Sequence, residues 1–146
     1  MSFRYAVVGA TGNVGREIMQ ILAERGIPAN AVTAIASSRS NGKEISYGDD
    51  EILKVHSLDG FDFEGTDLVL SSPGSVVSAE FCPRAASAGA IVVDNTSQFR
   101  MDPDVPLVVP EVNPHAIAQY ENRGIIANPN CSTIQLLVAL KPIHDA

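Results

Sequence analysis

The stretch VVGATGNVGREI, Val7 to Ile18, constrains this chain more than any other. A short apolar run, Arg4–Val8, meets three glycines, Gly9, Gly12 and Gly15, in the spacing G-x-x-G-x-x-G. Apolar residues then recur at Val14, Ile18, Ile21 and Leu22, the spacing of one helix face. A strand, a tight glycine turn and an amphipathic helix together begin a βαβ unit. Glycines at such a turn let backbone N–H groups approach a pyrophosphate, and the helix N-terminus adds partial positive charge. The Thr11 hydroxyl offers one more donor. A plain strand-to-helix turn would carry similar glycines, but the position after a strand and before a helix favours a dinucleotide site.

The rest of the chain continues the alternation. Gly26 and Pro28 end the helix Asn13–Arg25, and Ala31–Ser37 reads as a second buried strand. The polar segment 37–51 and the following 52–58 are expected to form a minor hairpin. Leu68–Ser71 is strand-like, Pro73-Gly74 turns the chain, and Val76–Ser87 reads as a helix weakened in its middle by Pro83. Ile91–Asp94 is another strand, and Val108-Val109 and Ile125–Ala127 are expected to be short ones. A last helix runs from about Ser132 to Leu140, with Pro142 beyond it. The proline-rich stretch Met101–Pro114 is a loop or edge segment, because strand signals resume after it. The expectation is one α/β domain, Rossmann-like, with a mainly parallel sheet and helices on both faces.

Charge and cysteine usage exclude several classes. A formal net charge of −7, with basic residues scattered, argues against nucleic acid as a partner. No apolar run reaches the length of a membrane span, and the N-terminus lacks the apolar core of a signal peptide. The two cysteines, Cys82 and Cys131, make no disulfide framework, and no Cys/His pair has zinc-ligand spacing, so no metal is expected. A reducing cytoplasm is the expected compartment.

In NAD-binding versions of the turn, an acidic residue near the end of the second strand bonds the ribose hydroxyls. Here that stretch is AIASSRSNGK, with no carboxylate before Glu44. Ser37, Ser38, Arg39 and Ser40 instead offer hydroxyls and a guanidinium fork suited to a phosphate, which points to NADP. A solvated polar loop is the competing reading of the same residues.

The stretch NPNCSTIQLLVAL places Cys131 where a helix begins. Unpaired N–H groups at a helix N-terminus favour an anion, and the thiolate is the nucleophilic form of cysteine. Backbone or amide donors from Asn130 onward would suit an oxyanion, so the arrangement fits attack on a carbonyl. The competing reading is a packed free cysteine, which is the reading given to Cys82.

With those residues in view, GATGNVG, SSRS, SSPGS, DNTSQFRMDPDVPLVVPEVN and NPNCSTIQ together resemble the aspartate-β-semialdehyde dehydrogenase family, in its order and across the whole chain. The resemblance implies an NADP-dependent enzyme converting aspartyl-4-phosphate to aspartate-4-semialdehyde through a cysteine acyl-thioester. Its setting would be lysine, threonine, methionine and diaminopimelate biosynthesis. By motif, Cys131 would be the nucleophile, Asn130 would orient substrate, and Arg100 would hold the phosphoryl group. Thr11, Gly12, Asn13 and Val14 would line the pyrophosphate, Arg39 and Ser40 the 2′-phosphate, and Ser72 and Gly74 the nicotinamide side, with Gly9 and Ser38 also binding cofactor. N-acetyl-γ-glutamyl-phosphate reductases share the chemistry, but their motif usually has Gly before the cysteine and an aromatic after it, where this chain has Asn130 and Ser132. A glyceraldehyde-phosphate-type dehydrogenase would use the same chemistry, and a non-catalytic NADP-binding module would need only the glycine turn.

The general acid–base is missing. His56, His115 and His144 are the only histidines, and all three read as surface residues. In the family that role, the substrate carboxylate ligands and the homodimer contacts come from a later domain. The expectation is therefore that residues 1–146 are a truncated N-terminal NADP-binding domain, inactive alone.

Overall fold

The computed structural model describes residues 3–146. Seven strands form one sheet: β1 Tyr5–Val8, β2 Val32–Ala36, β3 Glu44–Tyr47, β4 Glu51–Ser57, β5 Leu68–Ser71, β6 Ile91–Asp94 and β7 Ile125–Ala127. Their spatial order is β3-β4-β2-β1-β5-β6-β7. Every pair is parallel except the edge pair β3–β4. The α/β, Rossmann-like class read from the sequence is the fold observed.

Helices α1 (Asn13–Glu24) and α2 (Ser75–Ser87) cover opposite faces of this sheet. Successive residues of a strand point to opposite faces, and β1 shows the division. Val7 packs with Met19 and Leu22 of α1 together with Ala34, Ala36 and Val55. Ala6 and Val8 pack with Phe81, Cys82 and Ala85 of α2 together with Val69, Val92 and Ile125. Burial on both faces explains why these strands read as unbroken apolar runs rather than alternating ones.

Four local expectations need correcting. The hairpin is no minor appendage: β4 pairs in parallel with β2, Ala34 opposite Val55, and so extends the main sheet. Pro83 does not weaken α2, which runs through it; Phe81, Cys82 and Ala85 are fully buried beside it, and that packing outweighs the lost backbone bond. The last helix, α3, begins at Cys131 and runs to Asp145 with Pro142 inside it. An ion pair from Lys141 to Asp145 spans the proline, one turn apart on the same face. Finally, Val108-Val109 does not form a strand. Only Leu107 bridges to Ala127, because Pro106 and Pro110 have no N–H to extend the ladder. Residues Pro114–Asn122 form 3-10 turns.

One polar cluster lies inside the core. Asp94, at the end of β6, is fully buried. Its Oδ1 accepts from the Ser71 and Ser78 hydroxyls at 3.0 and 2.9 Å and from the Thr96 N–H at 3.3 Å, and its Oδ2 accepts from the Thr96 hydroxyl at 2.6 Å. These donors come from β5, α2 and the loop after β6, so one carboxyl group joins three segments. Replacing Asp94 with Ala strands three buried hydroxyls, at a cost of about 3 kcal/mol. Asn, which keeps one acceptor oxygen, is expected to cost about half as much. Urea unfolding of the two variants checks this ordering; equal stability of all three proteins would contradict it.

Candidate functional site

Strands β1, β2, β5, β6 and β7 run in one direction, so the loops that follow them gather along a single edge of the sheet. The chain places β2 on one side of β1 and β5 on the other. That reversal opens a crevice between the two following loops, the place where open α/β sheets take ligands.

The glycine turn is shaped by backbone contact. Gly9 has φ +88°, and a β-carbon there would sit 2.8 Å from the Ser72 carbonyl oxygen. On Gly15 a β-carbon would fall 2.2 Å from the Gly9 carbonyl oxygen. The first glycine lets the turn touch the β5 loop, and the third lets α1 start directly over the turn. Gly12 is the N-cap of α1, with no side-chain cap, and its own N–H bonds the Gly9 carbonyl. Among the described residues no acceptor faces the amides of Thr11, Asn13 and Val14. They remain free for an anion.

A crevice of about 600 Å³ opens at this turn. Gly9, Thr11, Gly12, Arg39 and Ser72, all expected site residues, line it together with Ser37 and Pro73. Ser38, Arg39 and Ser40 form one 3-10 turn after β2, and Arg39 is exposed with no hydrogen bond or ion pair among the described residues. The sequence reading missed the far wall, Leu58 to Gly60 from the loop after β4 with Val77 and Arg84 from α2. Arg84 Nη2 donates to the Leu58 carbonyl at 3.1 Å, tying the two pieces. No motif marks these residues, because their place depends on β4 joining the main sheet.

Asn13 and Val14 stand just outside this lining as the first helical residues of α1, and Ser38 and Ser40 flank Arg39. Gly74, Arg100, Asn130 and Cys131 lie outside it too, further along the strand ends beyond β5, β6 and β7. Three strand spacings separate β1 from β7, or roughly 14 Å. Gly74, with φ +101°, is the N-cap of α2, and the next residue, Ser75, shares a 3.0 Å hydroxyl contact with Ser97 of the β6 loop.

Cys131 is the first residue of α3 and is exposed. Asn130 is the N-cap, and its Oδ1 accepts from the Ser132 N–H at 3.0 Å. The cap satisfies one amide that the sequence reading had made available to an oxyanion; the Cys131 amide keeps no acceptor among the described residues. Arg100 is half-buried, with Nε donating to the Asn128 carbonyl and Nη2 to the Asn95 carbonyl, each at 3.0 Å. Cys82 differs in every respect. It is fully buried under α2, and burial, with the nearby Asp94 charge adding to it, pushes its thiol up to about 12. His56, His115 and His144 are exposed.

Two outcomes follow for the thiols. Iodoacetamide at pH 8 is expected to label Cys131 while Cys82 reacts at least about a hundredfold more slowly, limited by opening of the core. Equal labelling would contradict the geometry. The raised Cys82 value means that the folded state keeps its proton where the unfolded chain has lost it. Stability is therefore expected to fall as pH rises from the ordinary thiol value of 9.0 toward about 12, as urea midpoints across that range will show.

Known proteins share this architecture. The family described as semialdehyde dehydrogenase, NAD binding domain, matches residues 4–120. Aspartate-semialdehyde dehydrogenase 2 of Vibrio cholerae is 51% identical over 144 residues, covering 99% of this chain and 42% of the relative. The crystal structure of aspartate semialdehyde dehydrogenase II from Vibrio cholerae complexed with ASA superposes with a TM-score of 0.93 at 51% identity, covering 100% of this chain and 47% of that one. The Candida albicans aspartate semialdehyde dehydrogenase structure with NADP gives a TM-score of 0.73 at 30% identity, covering 99% of this chain and 47% of that one. This chain thus spans less than half the length of the relatives it matches, within their N-terminal part.

Proposed function

The chain belongs to the semialdehyde dehydrogenase family by its NAD-binding domain, and from that premise we propose that it supplies the cofactor cradle and the nucleophile of an NADP-dependent aspartate-semialdehyde dehydrogenase. The observation that carries this reading is Cys131, exposed as the first residue of α3 on the same sheet edge as the glycine turn.

The cradle fits a dinucleotide. Gly9 and Gly15 stand where a β-carbon would collide with backbone, and the Thr11, Asn13 and Val14 amides have no acceptor of their own among the described residues. These amides with Gly12 would hold the pyrophosphate; Ser38, Arg39 and Ser40 would hold a 2′-phosphate; Ser72 and Gly74 would border the nicotinamide. When bound, the reduced cofactor supplies hydride to the acyl carbon. NADP rather than NAD is favoured by the unpaired guanidinium of Arg39 and by the lack of a carboxylate at that strand end.

In the biosynthetic direction the Cys131 sulfur bonds to C4 of aspartyl-4-phosphate. The bond from that carbon to the phosphate oxygen then breaks, phosphate leaves against Arg100, and a thioester remains. After reduction the carbon–sulfur bond breaks, releasing aspartate-4-semialdehyde and restoring the thiolate. The Cys131 amide stabilises negative oxygen in both halves, and Asn130 orients the substrate.

A proton donor and acceptor must come from elsewhere. His144 is thirteen residues along α3 from Cys131, about 20 Å away. We therefore assign the acid–base group and the substrate carboxylate ligands to a further domain. Leu136, Val138, Leu140 and Ile143 leave α3 apolar and exposed, a surface such a domain would cover. The homodimer and the cytoplasmic setting implied by the resemblance belong to the same proposal.

In the enzyme that includes this further domain, Cys131→Ser is expected to lower turnover by about 10⁴-fold or more with NADPH affinity unchanged. Arg39→Glu is expected to weaken NADPH binding by roughly 10- to 100-fold and NADH binding by no more than about threefold. The isolated chain should give no turnover with semialdehyde, phosphate and NADP above a Cys131→Ala control. Full activity of the Ser variant would refute the nucleophile, and equal effects on both cofactors would refute the 2′-phosphate assignment.

A further inference from the structure

The contacts of Arg100 give it work to do before any phosphate arrives, an inference that rests on the reading of Cys131 above. Its Nε and Nη2 reach carbonyls in two different loops, Asn128 after β7 and Asn95 after β6. The same two residues are joined a second time, by Asn128 Nδ2 donating to Asn95 Oδ1 at 2.6 Å. The Asn128 N–H donates to the Asp94 carbonyl at 2.8 Å. Asn128 is thus held through its amide, its carbonyl and its side chain. Only Pro129, which is buried, and the N-cap Asn130 separate it from Cys131. Of the five guanidinium N–H groups, two are engaged by the loops and three stay free for an anion. A lysine would keep the charge but has no planar fork to span both carbonyls.

We propose that Arg100 and Asn128 form a brace that sets the position of the Cys131 thiol, so that Arg100 is a positioning residue for thioester formation as well as a ligand for the phosphoryl group. A phosphate ligand alone would matter only when phosphate enters or leaves. A brace matters in the half-reaction that needs none.

The test separates the two. In the enzyme with its further domain, semialdehyde and NADP mixed without phosphate allow a single acylation of Cys131, read as a burst of reduced cofactor. Asn128→Ala is expected to slow that burst about tenfold while leaving the phosphate concentration for half-maximal deacylation unchanged. Arg100→Lys is expected to slow the burst similarly and to raise the phosphate requirement. In the isolated chain without ligands, amide exchange at Asn128 and Ser132 should quicken about tenfold in both variants, at matched urea midpoints. Should Arg100→Lys fail to fold, Asn128→Ala carries the test alone. Unchanged bursts, or unchanged exchange at both amides, overturn the brace. No burst from the unsubstituted enzyme, with exchange still responding to both substitutions, refutes the cysteine chemistry and supports the brace.

Discussion

A buried carboxyl group holds this site together. Asp94 sits where β6 ends, and its side chain gathers hydroxyls from β5, α2 and the following loop. Its backbone carbonyl takes the N–H of Asn128, which begins the approach to Cys131. Among the described residues no cation pairs with it, so hydroxyl and amide donors alone satisfy it. Such an arrangement is costly unless complete, and here it is complete: no buried side-chain polar atom among the described residues lacks a partner. The result is one hydrogen-bonded cluster beneath three loops that carry Ser72 and Gly74, Arg100, and Cys131.

The parallel sheet brings these loops to one edge. A glycine turn, a polar 3-10 turn, a Pro-Gly turn and a capped helix start are far apart in sequence, yet each follows a strand of the same direction. They therefore open on one edge. Gly9 against Ser72 and Gly15 against Gly9 press the first turn down at the point where strand order reverses. The glycine turn and the thiol then stand at separate stations along one row of strand ends.

Much of this was legible in the chain. The glycine spacing and the strand-helix alternation gave the sheet, because both are local demands of backbone and burial. Cys131 at a helix start was legible for the same reason: Pro129 and Asn130 are local punctuation. What escaped notice depends on distant partners. Pro83 reads as a weak point in its helix and Pro142 as lying beyond one, and the first reading is overruled by burial of its neighbours against the sheet. The joining of β4 to β2, and with it the wall from Leu58 to Gly60, rests on a pairing that no short motif announces. The ties from Arg100 to Asn95 and Asn128 were invisible too, since an arginine in a polar loop reads as a surface charge until both carbonyls are placed around it.

Everything chemical in this account requires that carbon become bonded to the sulfur of Cys131. The direct measurement is peptide mass spectrometry of the enzyme acid-quenched after mixing with semialdehyde and NADP in the absence of phosphate. An aspartyl acyl group is expected on the peptide bearing Cys131, removed when phosphate is added before the quench. An unmodified Cys131 peptide in an enzyme that is turning over, or an acyl group on any other residue, would contradict it.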